Sequence, residues 1–159
     1  MRGGFLSKLM RLKRQEQGGV AVEFAMIMPI FLLLVFGIVD LGHAWYVRQL
    51  VANASREGAR YGTRYSGSPA SALTPSVSNY ILNSSAENGG KGGLDLKDQL
   101  QGCDPIVPTP TGTGYTDDSP GNPLYVTVTA TKSWWFLNKF VPGMESSITI
   151  SSTTCMAVE

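Results

Sequence analysis

The N-terminal part of the chain contains one long run of apolar positions, whereas the C-terminal part contains short runs in which apolar and polar residues alternate. No residue in 24–39 carries a charge, and the apolar character continues to residue 47 with Asp40 as an interruption. A helix of about 20 mostly apolar residues is long enough to cross a bilayer. The pattern therefore predicts a transmembrane helix over residues 19–47.

The helical pattern continues beyond the apolar run. Apolar and small residues recur there at helical spacing: Leu50, Val51, Ala54, Gly58 and Tyr61. Arg48, Arg56 and Arg60 supply a polar side. We therefore predict that the helix projects from the membrane as a stalk over residues 48–65.

Residues 66–159 have the pattern of a small mixed domain on the exported side. A Thr-Pro start and a glycine-rich end predict a short helix over residues 75–87. Its residues Val77, Tyr80 and Ile81 are expected to face the core.

Two strands are predicted in the last part of the chain. In the first, every second residue is apolar and is expected to be buried: Leu124, Val126, Val128 and Ala130. The second strand places Ile148 and Ile150 inward and is expected to pair antiparallel with the first. Residues 103–123, rich in proline and glycine, predict an irregular surface segment. The predicted fold class is α+β: a long N-terminal transmembrane and stalk helix, then a short helix and an antiparallel β-sheet.

Aromatic residues are concentrated between these strands: Trp134, Trp135, Phe136 and Phe140. We expect them to lie in the core under the stalk helix; the alternative is a docking patch for a neighbouring subunit. Asp40 is expected to pair with Arg48 or to lie at the outer membrane interface. The nearby rings of His43, Trp45 and Tyr46 suit the headgroup level.

The chain has 159 residues and a formal net charge of +1, which fits one small domain attached to an anchor. Its basic residues do not cluster on the polar domain, so no nucleic-acid partner is expected. Five basic residues precede the apolar run: Arg2, Lys8, Arg11, Lys13 and Arg14. Basic residues favour the cytoplasmic side, which places the N-terminus there, although four arginines after the run make the margin small.

The chain has two cysteines, Cys103 and Cys155, and one histidine, His43. A structural zinc site needs about four ligands, so no metal site is expected in the monomer. In an exported domain we expect Cys103 and Cys155 to form a disulfide; the alternative is two buried free thiols. No cofactor is expected, and a single histidine far from any reactive serine or cysteine argues against an enzyme.

Glu23 is unusual because a charged group at the centre of a bilayer costs about 2.5–3.5 kcal/mol. A basic leader, residues 1–18, ends in Gly18 and is followed by Gly19, with Glu23 and Phe24 close behind. This arrangement resembles the processing motif of type IV prepilins, in which a peptidase cuts after glycine and leaves glutamate as the fifth residue. A cut between Gly18 and Gly19 satisfies that spacing, whereas a cut after Gly19 makes Glu23 the fourth residue.

A longer stretch, about residues 17–62, resembles the TadE-like pseudopilins of the tight-adherence (Flp) pilus system. The features that carry the resemblance are the Glu23–Phe24 pair, Pro29, the Gly37-to-Asp40 spacing and the sequence "ASREGARY". The resemblance implies a structural minor pseudopilin that is needed for assembly of Flp pili in adherence and biofilm formation.

The resemblance also implies partners and a location. The partners are the prepilin peptidase, the major Flp pilin, a sister pseudopilin, the inner-membrane assembly platform and membrane lipid. The location is the bacterial inner membrane, crossed once, with the N-terminus cytoplasmic and the C-terminal domain periplasmic or associated with the pilus.

Two other interpretations stay open. A secretory signal would end at Ala54, in "ANAS", but its apolar region would span only about 7–15 residues and would not contain a carboxylate. An uncleaved, membrane-anchored periplasmic scaffold or binding module would carry the same helix without being processed.

Overall fold

The computed structural model describes residues 3–64 and 68–159, with side chains from residue 18 onward. Its helices are α1 (Gly3–Thr63), α2 (Val77–Leu82), α3 (Leu96–Gln99), α4 (Thr113–Thr116) and α5 (Leu137–Phe140). Its strands are β1 (Cys103–Thr111), β2 (Pro123–Ser133) and β3 (Ser147–Ala157). A long helix followed by a small domain of strands and short helices confirms the predicted α+β class.

Helix α1 runs from Gly3 to Thr63 and includes Pro29 within it. It passes residue 47 without a break, as the predicted continuation of the helix requires. The division into a leader, a span and a stalk stays a prediction. The basic side chains of the leader and the boundary at residues 65–66 lie outside the described residues and side chains.

The described strands form an antiparallel sheet in the order β1-β2-β3, with β2 in the centre. The buried face of β2 carries the predicted alternation, because Leu124, Val126, Val128 and Ala130 are 0% exposed. Its pairing with β3 confirms the expected antiparallel partner. Ile150 is partly buried and packs against the core, in agreement with its predicted inward position. Ile148 lies one residue from the start of β3 and is 40% exposed.

Strand β1 corrects the prediction of an irregular segment over residues 103–123. Its residues pair with β2 from Cys103 to Thr111, although Pro105, Pro108 and Pro110 lie within it. Proline is compatible with an edge strand because alternate N–H groups there point away from the neighbouring strand. The register is interrupted between Cys103 and Ile106, where Pro105 lies.

Helix α2 is shorter than predicted and covers Val77–Leu82. The Ser76 side chain accepts a hydrogen bond from the backbone N–H of Asn79 and caps its start. Val77 and Ile81 are buried, as predicted. The following residues leave the helix in a glycine-rich turn.

The core lies between α1 and the sheet. Val47, Val51 and Ala54 of the helix are buried in one cluster with the apolar face of β2. Ser55, also buried, meets the polar side chains of β3, with its Oγ 2.9 Å from Thr154 Oγ1 and 3.2 Å from Ser152 Oγ. The stalk part of α1 is therefore a core element of the domain.

The predicted disulfide is not confirmed: Cys103 and Cys155 are both free thiols in this structure. The register explains why: Cys103 pairs with Lys132 and Cys155 with Tyr125, on opposite edges and towards opposite ends of β2. Seven residues of strand correspond to about 24 Å. A disulfide requires Cα atoms within about 7 Å.

We expect the thiols to react at different rates with a maleimide, without prior reduction. Cys155 is exposed and should be labelled rapidly, whereas Cys103 is buried and burial raises the pKa of its thiol. Less thiolate and less access both slow the second reaction. Intact mass should show one label on the folded protein and two after denaturation. A mass that shows no label without reductant would contradict this register.

Candidate functional site: the apolar helix and its attachment to the domain

The part of α1 below the domain is apolar and exposed. Its most apolar 18-residue window has a mean hydropathy of 2.6, and none of that window is buried within the described residues. Phe24, Met26 and Ile30 are each more than 60% exposed. By length and composition this helix is able to span a membrane. An apolar surface of this size indicates contact with lipid or with other protein.

The predicted processing residues lie on this exposed helix. A Cβ atom added to Gly18 or Gly19 would meet no described atom within 4 Å. Glu23 and Phe24 are exposed as well. In the part of the chain with described side chains, no cation forms an ion pair with Glu23.

Asp40 has a different environment, because its carboxylate is completely buried by the domain. Its Oδ1 accepts a hydrogen bond from the backbone N–H of Trp135, at 3.2 Å. Its Oδ2 accepts bonds from the N–H groups of Phe136 and Leu137, both at 2.9 Å. One side chain of α1 therefore fixes the turn that opens α5.

Lys132 supplies the compensating charge. It is 0% exposed, and its Nζ lies 3.7 Å from Asp40 Oδ1. The ammonium group donates a hydrogen bond to the Ser133 carbonyl at 3.2 Å and lies 4.7 Å from the centre of the Trp134 ring. A buried charge is tolerated when it is paired and hydrogen-bonded, and both conditions hold here. We call Asp40 and Lys132 the buried pair.

Aromatic side chains lie beside the buried pair, with the ring centres of Trp134 and Trp135 4.7 and 5.4 Å from Lys132 Nζ. The ring of Phe136 stacks on Phe36 with centroids 4.4 Å apart, and Trp135 stacks on His43 at 4.7 Å. These rings lie against α1. The prediction that the aromatic residues lie in the core is wrong for Trp135, which is 44% exposed.

The structure corrects the expectation that Asp40 pairs with Arg48. The Arg48 guanidinium instead lies 5.5 Å from the ring centre of Trp45. Sequence reasoning missed Lys132, although a signal was present. Lys132 occupies the next inward position after Ala130 in the alternation of β2, where a cation needs a buried acid.

The geometry of the buried pair supports attachment of the domain to α1. Among the described residues, no group of three or more His, Cys, Asp or Glu side chains is placed to hold a metal ion. The buried pair and its hydrogen bonds hold the domain to α1 at the point where the uncharged run ends. What the site does is to set the position of the domain relative to the apolar helix.

Residues 18–60 match the family model described as TadE-like protein. This match confirms the resemblance to TadE-like proteins over that segment, which runs along the helix from the predicted processing residues through most of the stalk. No curated protein matches the chain, and no solved structure matches it.

Proposed function

We propose that this chain, whose residues 18–60 carry the TadE-like signature, is a minor pseudopilin that supports assembly of a Flp-type pilus in adherence and biofilm formation. The observation that carries the proposal is an apolar helix that is exposed below the domain and has an exposed acid, Glu23, near the start of its apolar run. A pilus subunit needs such a helix to anchor it in the membrane before assembly and to pack against neighbouring helices afterwards.

The proposed location is the bacterial inner membrane, with the basic N-terminus in the cytoplasm and the mixed domain in the periplasm. The order of charges supports this orientation, because basic residues precede the apolar run. Asp40 supports the level of the outer boundary, since the uncharged run ends there and Asp40 is the first buried residue of α1 among the described side chains.

Glu23 would act through the α-amino group that processing creates on Gly19. That amine has a reference pKa of about 8 and is mostly cationic at neutral pH. Residues 19 and 23 are one helical turn apart, so a carboxylate on the same chain or on a neighbour can neutralise the amine. The proposed partners are the prepilin peptidase, the major Flp pilin, a sister pseudopilin and the inner-membrane assembly platform.

The test is the intact mass and N-terminal sequence of the protein from native membranes, with and without the prepilin peptidase. We expect a peptidase-dependent N-terminus at Gly19 and retention of the leader when the peptidase is absent. The Gly18→Ala variant should remain unprocessed, and Gly42→Ala, a glycine with no described atom near its Cβ position, is the matched control.

Each other outcome has a distinct meaning. An N-terminus at Val20 would move the cut by one bond and leave Glu23 as the fourth residue. An N-terminus at Ser55 would identify a secretory signal. A leader retained in both strains would favour the uncleaved periplasmic scaffold and would overturn the pseudopilin proposal.

A further inference from the structure

The segment between β2 and β3 is both apolar and exposed. We call residues 134–143, which include α5, the aromatic loop. Phe140 is 53% exposed, Trp135 44% and Val141 39%. Large apolar side chains in such a concentration indicate a surface that meets an apolar partner.

The aromatic loop lies beside the apolar part of α1. Phe136 stacks on Phe36, and a Cβ atom on Gly37 would lie 3.7 Å from Leu137 Cδ2. Phe140 lines an open apolar groove with residues of α1 between positions 24 and 36, among them Phe24, Met28, Leu33 and Phe36.

The depth of these contacts follows from helix geometry. With Asp40 at the outer edge of the hydrocarbon, Phe36 lies about 6 Å inside it, because each residue of a helix rises about 1.5 Å. With Glu23 at the inner edge, a core about 30 Å thick ends near residue 43, which puts Phe36 about 10 Å inside. Both placements put Phe36, and the ring of Phe136 stacked on it, within hydrocarbon.

The backbone of the aromatic loop is compatible with that environment. Hydrocarbon excludes unpaired N–H groups, since each costs several kcal/mol. Asp40 accepts the N–H groups of residues 135–137, and backbone carbonyls within the loop accept those of Lys139 and Val141. The exposed side chain of Lys139 limits the depth of the loop to one from which its ammonium group reaches the headgroups.

We propose that the aromatic loop is a second membrane-inserted element, which places Phe140 and Val141 in the outer leaflet beside α1. Its partner is the phospholipid bilayer, because the loop continues the apolar surface of a helix that itself requires lipid. The inference rests on the proposed membrane anchoring of α1. The buried pair then holds the domain and the loop together at the bilayer surface.

The test uses the full chain, without its two native thiols (Cys103→Ala and Cys155→Ala), in vesicles of phosphatidylethanolamine and phosphatidylglycerol at a low protein-to-lipid ratio. A single cysteine at Phe140→Cys, and in a second protein at Val141→Cys, carries an environment-sensitive fluorophore. Lipids spin-labelled near the carbonyl or near the chain end act as quenchers. Ile30→Cys is the control within the span, and native Cys155 in a Cys103→Ala protein is the control at the far end of the sheet.

We expect the labels at 140 and 141 to be quenched as strongly as the label at 30. The lipid labelled near the carbonyl should quench positions 140 and 141 more than the lipid labelled near the chain end. The label on Cys155 should keep its fluorescence. Quenching at 30 without quenching at 140 and 141 would overturn the inserted loop and leave the anchor intact. If the labels at 140 and 141 are not quenched and the cysteine at position 140 cross-links to a second copy of the chain, the loop is a subunit contact and the proposed insertion is overturned. Absence of quenching at 30 would overturn both the loop and the membrane anchor.

Discussion

Exchanging Lys132 for alanine is expected to lower the free energy of unfolding by about 3–5 kcal/mol, because it leaves a buried charge without its partner. The Asp40 carboxylate is 0% exposed, so water does not replace the lost ammonium group unless the neighbouring aromatic rings move. Urea unfolding of the full chain in detergent micelles, followed by tryptophan fluorescence, measures the change. Trp134 and Trp135 adjoin Lys132 and report on this site directly.

Two further variants isolate the pair from general effects. Lys139→Ala removes an exposed lysine from α5 and is expected to change stability by no more than about 0.5 kcal/mol. The double variant Asp40→Asn, Lys132→Met removes both charges while keeping an oxygen that accepts backbone N–H groups. It should recover much of the lost stability, since contacting residues are not additive. A Lys132→Ala protein as stable as Lys139→Ala would contradict a buried, paired lysine.

The position of the buried pair explains why the uncharged run ends at Asp40. Below this residue α1 has no domain over most of its surface, and apolar side chains suit both lipid and a neighbouring helix. At Asp40 the domain covers the helix and supplies three N–H donors and a cation. Asp40, which the sequence suggests is a partner of Arg48 or an interfacial acid, is therefore the attachment point of the domain.

The sequence correctly predicts the elements in which the pattern of apolar and polar residues repeats within one helix or strand. Helix α1 follows from a long apolar run, and β2 follows from alternation, because each pattern repeats within one element. Strand β1 was hidden by its prolines, which are tolerated only because the strand lies at an edge of the sheet.

Features that depend on distant residues were not predictable in the same way. Asp40 and Lys132 meet across a large separation in sequence, and the nearer Arg48 was the natural candidate from helix spacing alone. The Cys103–Cys155 bond was inferred from export and residue type, whereas the strand register decides the distance between the thiols. The Asp40–Lys132 pairing and the distance between the two cysteines both depend on which strands are neighbours. Local periodicity carries no information about that order.

Introducing a methyl group at Gly58 is expected to destabilise the domain by about 1–3 kcal/mol, the usual cost of overpacking a filled core. A Cβ atom there would collide with the Ile81 side chain and lie 3.3 Å from Val126 Cγ1. Both neighbours are 0% exposed and belong to the core cluster, so a shift of either disturbs core packing. Gly62→Ala should act similarly, because its Cβ would lie 2.5 Å from Leu124 Cδ2. The same urea titration measures both variants.

Gly42→Ala is the control of the same chemistry on the same helix. Its new Cβ atom would meet no described atom within 4 Å, so we expect no overpacking. Alanine favours a helix over glycine by about 1 kcal/mol, which gives this variant the opposite sign. If Gly58→Ala and Gly62→Ala also gain stability, the Gly58–Gly62 spacing serves flexibility or contact with another helix, and α1 does not pack closely on α2 and β2. A loss at 58 and 62 with no loss at 42 identifies the spacing as the close contact that seats the stalk helix on its own domain.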